Sequence, residues 1–152
     1  MLICDRTFLA QIQGHSERAY PHECCGLLLG SLATDTQPKQ VREVRGTQNV
    51  WNDHRKDISA VEATQTCEDR YWIDPNEVMA AQKYARAKGW DIIGIYHSHP
   101  DHVAVPSECD RQWAWPHYSY VIVSVNSGAA HDVQSWVLDD QHRFQPEVIT
   151  AR

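Results

Sequence analysis

No stretch of this sequence approaches the roughly 18 consecutive apolar residues that a membrane-spanning helix needs. The opening residues also lack the charged, apolar and small-residue blocks of a secretion leader. Basic residues are in the minority, 14 Lys and Arg against 20 Asp and Glu, giving a formal net charge of −6. That balance argues against a general nucleic-acid binder, which needs a basic surface. Cysteine is sparse, odd in number at five, and never arranged as C-x-x-C. Adjacent Cys24 and Cys25 cannot easily bridge to each other, so the expectation is reduced thiols in a cytoplasmic protein. There is no internal repeat and no low-complexity tract. Glycine and proline stand at seven each, and apolar and charged residues at 42% and 22%, so collagen-like and disordered chains are excluded. The 152 residues amount to a single domain, large enough to bury a core without disulfides.

The patterning alternates helices and strands. Residues 5–20 read as a helix capped by Asp5, with Phe8, Leu9, Ile12 and Ala19 on one face. CCGLLLG at 24–30 reads as a buried strand, and 40–50 as a weaker, partly exposed one. Residues 51–69 are polar and without period, an irregular insertion of the kind that is often functional. RYWID at 70–74 reads as a short strand. Asp74 and Pro75 then open a helix, with Glu77 in a capping-box-like position and Gly89 closing it. DIIGIYHSHP at 91–100 is a strand covered on both faces, 106–115 a short helix, and 118–126 a buried strand. Segments 131–140 and 142–150 look like a terminal strand pair. The fold class is α/β in the mixed α+β sense, a central sheet flanked by helices.

The chemistry concentrates at the end of the strand over 91–100. His97 and His99 are two apart, so on a strand their side chains share a face. Two imidazoles at the open end of a buried strand can converge on one metal ion, and neutral imidazole suits zinc. A catalytic zinc has three protein ligands and one open position, so a third donor is needed nearby. Asp110 is the candidate. Pro100 and Pro106 stiffen the connection, Ser107 stands at a helix N-cap, and Asp110 lies one turn further on. Each residue also has a plainer reading: Asp110 as a helix-start carboxylate, Ser107 as an N-cap only, His102 as a solvated loop histidine. Tyr96 and Ser98 alternate with the histidines and so face the other side. Cys25 is read as a small buried hydrophobe, not a nucleophile. Cys109 could act as an extra ligand or an oxidation-sensitive thiol. Trp113, Trp115 and Tyr118 read as core or cleft-wall aromatics.

HSHPDHVAVPSECD resembles the H-x-H-P-x(6)-S-x-x-D signature of the JAMM, or MPN-type, zinc isopeptidases. PHECCGLLLG, at 21–30, is similar to that family's early-strand pattern P-x-E-x-C-G-L-L-x-G and puts its glutamate at Glu23. RYWIDPNE and YSYVIVSV also resemble family segments, so the likeness runs over roughly residues 1–149 and is nearest to the small stand-alone bacterial members. The resemblance implies a curved sheet flanked by helices, similar to that of the cytidine deaminases, although the deaminase P-C-x-x-C element is absent. It implies one Zn2+ per chain held by His97, His99 and Asp110, with a bound water. Glu23 would be the general base acting on that water, and Ser107 would stabilise the oxyanion. Glu23 on residue reading alone is a surface carboxylate ahead of a strand.

The resemblance further implies a substrate: a ubiquitin-like sulfur-carrier protein, cut after its C-terminal Gly-Gly to release cysteine or a short tail. Such a tail could add along a sheet edge, with 51–69 either gripping the carrier or forming a tolerated surface insertion. Nucleic acid and membrane are not expected partners, and a homodimer is left open. Two other classes compete: a non-catalytic MPN-type interaction scaffold, and a two-histidine, one-carboxylate iron oxygenase. The filled ligand positions argue against the scaffold, and the helical segments against an all-β oxygenase barrel.

Overall fold

The computed structural model describes residues 1–54 and 70–152. The insertion read over 51–69 therefore lies mostly outside the described residues, and only Trp51–His54 is seen, as a short helix, α2. The other elements follow the chain as β1 (Leu2–Cys4), α1 (Arg6–Ala19), β2 (Cys25–Ser31), β3 (Lys39–Thr47), α3 (Pro75–Ala87) and β4 (Asp91–Pro100). After these come α4 (Glu108–Gln112), β5 (Ser119–Asn126), β6 (Ala129–Leu138), β7 (Phe144–Glu147) and β8 (Ile149–Ala151). Asp5 caps α1, its carboxylate accepting the Thr7 N–H at 2.7 Å. Asp74 caps α3 by accepting from the Asn76 N–H at 2.8 Å, with Pro75 in the first turn. Gly89, at φ +72°, ends that helix in the left-handed region that an L side chain resists.

All eight strands form one sheet in the order β7-β6-β5-β4-β2-β3-β1-β8. The end strands β7 and β8 are separated in sequence by Val148 alone, yet stand at opposite ends of that order. A flat sheet cannot place its two edges one residue apart, so the sheet curls until it nearly closes. The Leu2 N–H seals the junction by donating to the Val148 carbonyl at 2.8 Å. Sequence patterning misses this closure. The stretch 142–150 is two strands serving two different neighbours, and β1, three residues long, is too short to show a period.

Both faces of the central strands are covered. Helix α1 touches β3, β4, β5 and β6. Those strands span about 19 Å at ~4.8 Å per neighbour, wider than a helix of roughly 10–12 Å, so α1 lies in the concave side. Ile12 of α1 packs there with Leu28, Ile93, Tyr96, Val121 and Val123. Helix α3 packs on β2 and β4 from the other side, where Ala81 and Ala85 meet Leu27, Leu29 and Ile92. Residues 70–74 are not a strand. This segment is an extended strap whose Tyr71 and Ile73 join the second core, and its Trp72 exchanges hydrogen bonds with Val50 and Asn49 instead of with a strand.

β2 runs antiparallel to β4 with Gly26 opposite Tyr96 and Cys25 opposite His97. Tyr96 lies across Gly26, and a Cβ there would stand 2.2 Å from the tyrosine ring. Gly26→Ala should therefore displace Tyr96 and destabilise the fold by about 1–3 kcal/mol, measured as a lower urea midpoint; an unchanged midpoint would show that the ring has room to yield.

Candidate metal centre

Three donor atoms meet beyond the end of β4. Nε2 of His97 and Nε2 of His99 are 3.1 Å apart, and Oδ2 of Asp110 lies 3.3 Å from the first and 3.2 Å from the second. Tetrahedral ligands at roughly 2.0–2.1 Å from a zinc ion are about 3.3–3.4 Å from one another. The triangle therefore already has the dimensions of three corners of such a site, and its donor types are those zinc takes. His99 is also held at its far nitrogen, Nδ1 lying 3.0 Å from the Val103 carbonyl. A hydrogen on Nδ1 satisfies that carbonyl and leaves Nε2 bare toward the centre. His97 is fully buried and stacked on Tyr71 at 4.5 Å. Among the described residues its Nδ1 has no hydrogen-bond partner.

Asp110 is brought to the strand end by the first turn of α4. Ser107 Oγ accepts the Asp110 N–H at 3.1 Å, and Asp110 Oδ2 accepts the Ser107 N–H at 2.8 Å, a complete capping box. The oxygen that caps the helix is the one that faces both imidazoles. The plainer readings of Ser107 and Asp110 as capping residues are thus correct and compatible with a metal centre. Because Ser107 Oγ is occupied as an acceptor, its own hydrogen is left to donate outward, and the side chain is exposed.

Glu23 arrives from the other strand. Continuing the register that pairs Cys25 with His97 sets Glu23 against His99, just past the end of β2. The Ser98 hydroxyl reinforces this register by accepting the Cys24 N–H at 2.9 Å, on the face away from the histidines. A Glu23 carboxylate oxygen, with one nitrogen from each of His97 and His99, forms a group within 4.8 Å. Glu23, His99, Ser107 and Asp110 line one cleft of about 710 Å³ together with Arg70, Asn49 and Val105, with the buried His97 behind them. Two carboxylates thus approach the imidazole pair. Asp110 is in contact with both imidazoles, and the Glu23 carboxylate stands beside the same pair.

The charges follow from the packing. Burial would raise the Asp110 carboxyl, but His97, His99 and the Ser107 N–H outweigh it and hold it well below the usual carboxylate range. Burial lowers His97 and favours its neutral form. For His99 burial pulls the same way, but the bond to Asp110 and its charge, with the Val103 carbonyl, win and raise it. Cys25 is a buried thiol pushed up to about 12 by desolvation, which removes it as a nucleophile. His102 is exposed on the cleft rim and outside the triangle. Its carbonyl accepts from Ser124 Oγ at 2.6 Å, which gives that serine a loop-pinning task.

Two expectations are corrected. Cys109 is disulfide-bonded, not a reduced thiol, and so is neither an extra ligand nor a free oxidation site. Its partner lies outside the described residues, while Cys4, Cys24 and Cys25 are free. Trp115 is 66% exposed and belongs to neither core nor cleft wall, and Trp113 is 42% exposed, edge-on to Trp72. The sequence reading also missed Asn49 and Arg70. Asn49 Nδ2 donates to the carbonyls of Glu23 (3.1 Å) and Arg70 (3.0 Å), and its Oδ1 accepts from Trp51 (3.1 Å) and Trp72 (3.0 Å). That fills the amide's bonding capacity and ties three chain segments together. No periodicity or motif marks Asn49. Arg70 is the one basic residue beside an aromatic strap, which could have drawn attention to it.

Comparison with known proteins shows the family and the fold. Residues 6–139 match the family model described as prokaryotic homologs of the JAB domain. A desampylase from Haloferax volcanii is 33% identical over 105 residues, covering 68% of this chain and 63% of the relative, so the match spans less than two thirds of that protein. A probable TtuB-protein conjugate cleaving protease from Thermus thermophilus is 30% identical over 122 residues, covering 80% of this chain and 69% of the relative. Among solved structures, a Salinibacter ruber protein aligns with a TM-score of 0.70 at 34% identity, covering 98% of this chain and 90% of its own. A JAB1/MPN domain protein from Archaeoglobus fulgidus aligns with a TM-score of 0.58 at 15% identity, covering 100% and 97%, a likeness of fold.

The triangle should bind one zinc per chain, and Asp110→Asn should lose it on gel filtration, checked by elemental analysis. Because ligation needs both imidazoles neutral and the His99 value is raised, affinity should fall up to tenfold per pH unit below that value and level off above it. Affinity flat from pH 5 to 8 would contradict the assignment.

Proposed function

Since this chain belongs to the prokaryotic JAB-domain family, we propose that it is a zinc-dependent hydrolase acting on the C-terminal Gly-Gly of a ubiquitin-like sulfur-carrier protein. The observation that carries this reading is the donor triangle opening on a cleft that also receives Glu23. His97, His99 and Asp110 would hold the metal. A zinc ion there supplies a Lewis acid for the scissile carbonyl and lowers the pKa of water toward neutrality.

The chain's own groups do the rest. Glu23 takes a proton from the attacking water and delivers it to the leaving amine, as a carboxylate fixed across a cleft from the reacting carbon can. Asn49 holds the Glu23 backbone, so the carboxylate swings from a fixed point. Ser107 aims its hydroxyl hydrogen at the oxygen on which charge develops, while its oxygen stays tied to the Asp110 N–H. The capping box thus steadies a metal-holding carboxylate and an oxyanion donor at once.

The substrate class rests on the relatives' names, one a desampylase and one a protease of TtuB conjugates, and on the cleft. Val103 and Val105 are exposed apolar residues on its rim, suited to a small protein's apolar surface. Glycines suit the approach because a chain lacking side chains can bring its carbonyl close to recessed donors. Among the described residues β2, β4 and β5 each have neighbours on both sides, so none of these three strands offers the tail a free edge. The tail would instead lie against the loop of residues 101–107. The intact donor set argues against a non-catalytic scaffold, and the mixed sheet and helices against an oxygenase barrel.

Hydrolysis of a carrier extended beyond Gly-Gly should stop with a chelator and return with zinc. Glu23→Gln should keep its zinc and lose roughly 10²–10⁴-fold in kcat, read from product formation at saturating substrate; wild-type turnover in that variant would remove Glu23 as the base. Ser107→Ala should lower kcat by about 10²-fold with a smaller change in KM; a change confined to KM would make Ser107 a binding group instead.

A further inference from the structure

Arg70 is a buried cation that the proposed mechanism does not use. It is 5% exposed, yet among the described residues its Nε and Nη1 have no hydrogen-bond partner. A buried guanidinium without acceptors is costly, more so than an unpaired neutral group. Its surroundings are aromatic: the guanidinium carbon lies 5.1 Å from the Trp113 ring centre and 5.7 Å from those of Trp51 and Tyr71. Those rings offset part of the cost through cation–π attraction, but they accept none of the planar fork's hydrogen bonds.

Arg70 stands beside the metal centre on two independent grounds. The Asn49 amide nitrogen that holds the Glu23 carbonyl also holds the Arg70 carbonyl. The next residue, Tyr71, stacks on His97, and Trp113, which the guanidinium approaches, follows α4 three residues after Asp110. Arg70 lines the same cleft as Glu23, His99, Ser107 and Asp110. An arginine in the wall of a hydrolytic cleft fits an anion; its Nε and Nη1 are enclosed, so the edge it turns to the cleft offers a carboxylate a charge-assisted hydrogen bond and an opposite charge, not a two-bond clamp.

We propose that Arg70 binds the free α-carboxylate of a single amino acid leaving from the carrier's Gly-Gly terminus. This rests on the hydrolase reading above and specifies its leaving group. In such a substrate the carboxylate carbon is about 2.5 Å from the scissile nitrogen, two bonds away, so its oxygens fall within reach of a group on the same cleft wall. A carrier joined to a lysine side chain offers no anion there, since four methylenes follow the nitrogen. In the reaction the glycine C–N bond breaks, and the water oxygen joins the glycine carbonyl carbon. One water proton passes through Glu23 to the leaving amine, and the second, lost as the new acid ionises, converts that amine to ammonium. The products are the carrier carboxylate and a free amino acid whose carboxylate remains on Arg70 until it departs.

The test uses one carrier protein extended beyond Gly-Gly by a single alanine, made as the free acid and as the C-terminal amide. The wild-type protein, loaded with zinc, should favour the acid ten- to a hundredfold in kcat/KM, mostly through KM. In Arg70→Gln this preference should collapse toward one, and Arg70→Lys should restore part of it. The readout is a ratio within each protein, so a partial folding loss cancels. A wild-type ratio near one, or a wild-type ratio retained in Arg70→Gln, overturns the carboxylate role while leaving the hydrolase reading standing. Failure of the wild type to cleave either substrate overturns both.

Discussion

The whole arrangement depends on where β2 registers against β4. With Cys25 opposite His97, the glutamate before β2 and the histidines ending β4 come to the same end of the sheet. A slip of one residue would turn His97 and His99 toward the concave core and bring Tyr96 and Ser98 to the cleft. Two features oppose that slip. Tyr96 fits only over a glycine, and Ser98 is bonded to the Cys24 backbone just past the last paired residue. Residues with no chemical task therefore fix the position of those that have one.

The second constraint is economical in a different way. Asp110 Oδ2 serves three groups at once: the Ser107 N–H, His97 and His99. Capping holds the carboxylate in one orientation with no ion present, so that metal binding there would cost little side-chain freedom. The same geometry holds the Asp110 carboxyl well below the usual carboxylate range despite its burial, and raises His99, the more exposed of the two imidazoles, above its ordinary value.

Much of this was legible in the sequence because it is local. The H-x-H spacing on a strand, the Ser107–Asp110 turn and the Asp74–Pro75 helix start each need only a few neighbouring residues to be read. The buried run 24–30 and the two covered faces of 91–100 follow from hydropathy alone. Contacts between distant segments were not legible. β8 exists because the curled sheet offers β1 as a neighbour, and the 70–74 strap is extended without pairing because Asn49 and Val50 meet its backbone first. Arg70 looked like the start of a strand, and only the fold shows it walled in by aromatic rings. Cys109 was misread for the same reason, since pairing depends on spatial proximity that spacing does not encode.

The central claim is that two imidazoles and one carboxylate form a single zinc site with room for solvent. X-ray absorption at the zinc edge of the metal-loaded protein tests it most directly. The account requires nitrogen and oxygen neighbours only, at roughly 2.0–2.1 Å, with the multiple scattering of two imidazoles. A sulfur neighbour at about 2.3 Å would place the metal on a cysteine instead and contradict the account.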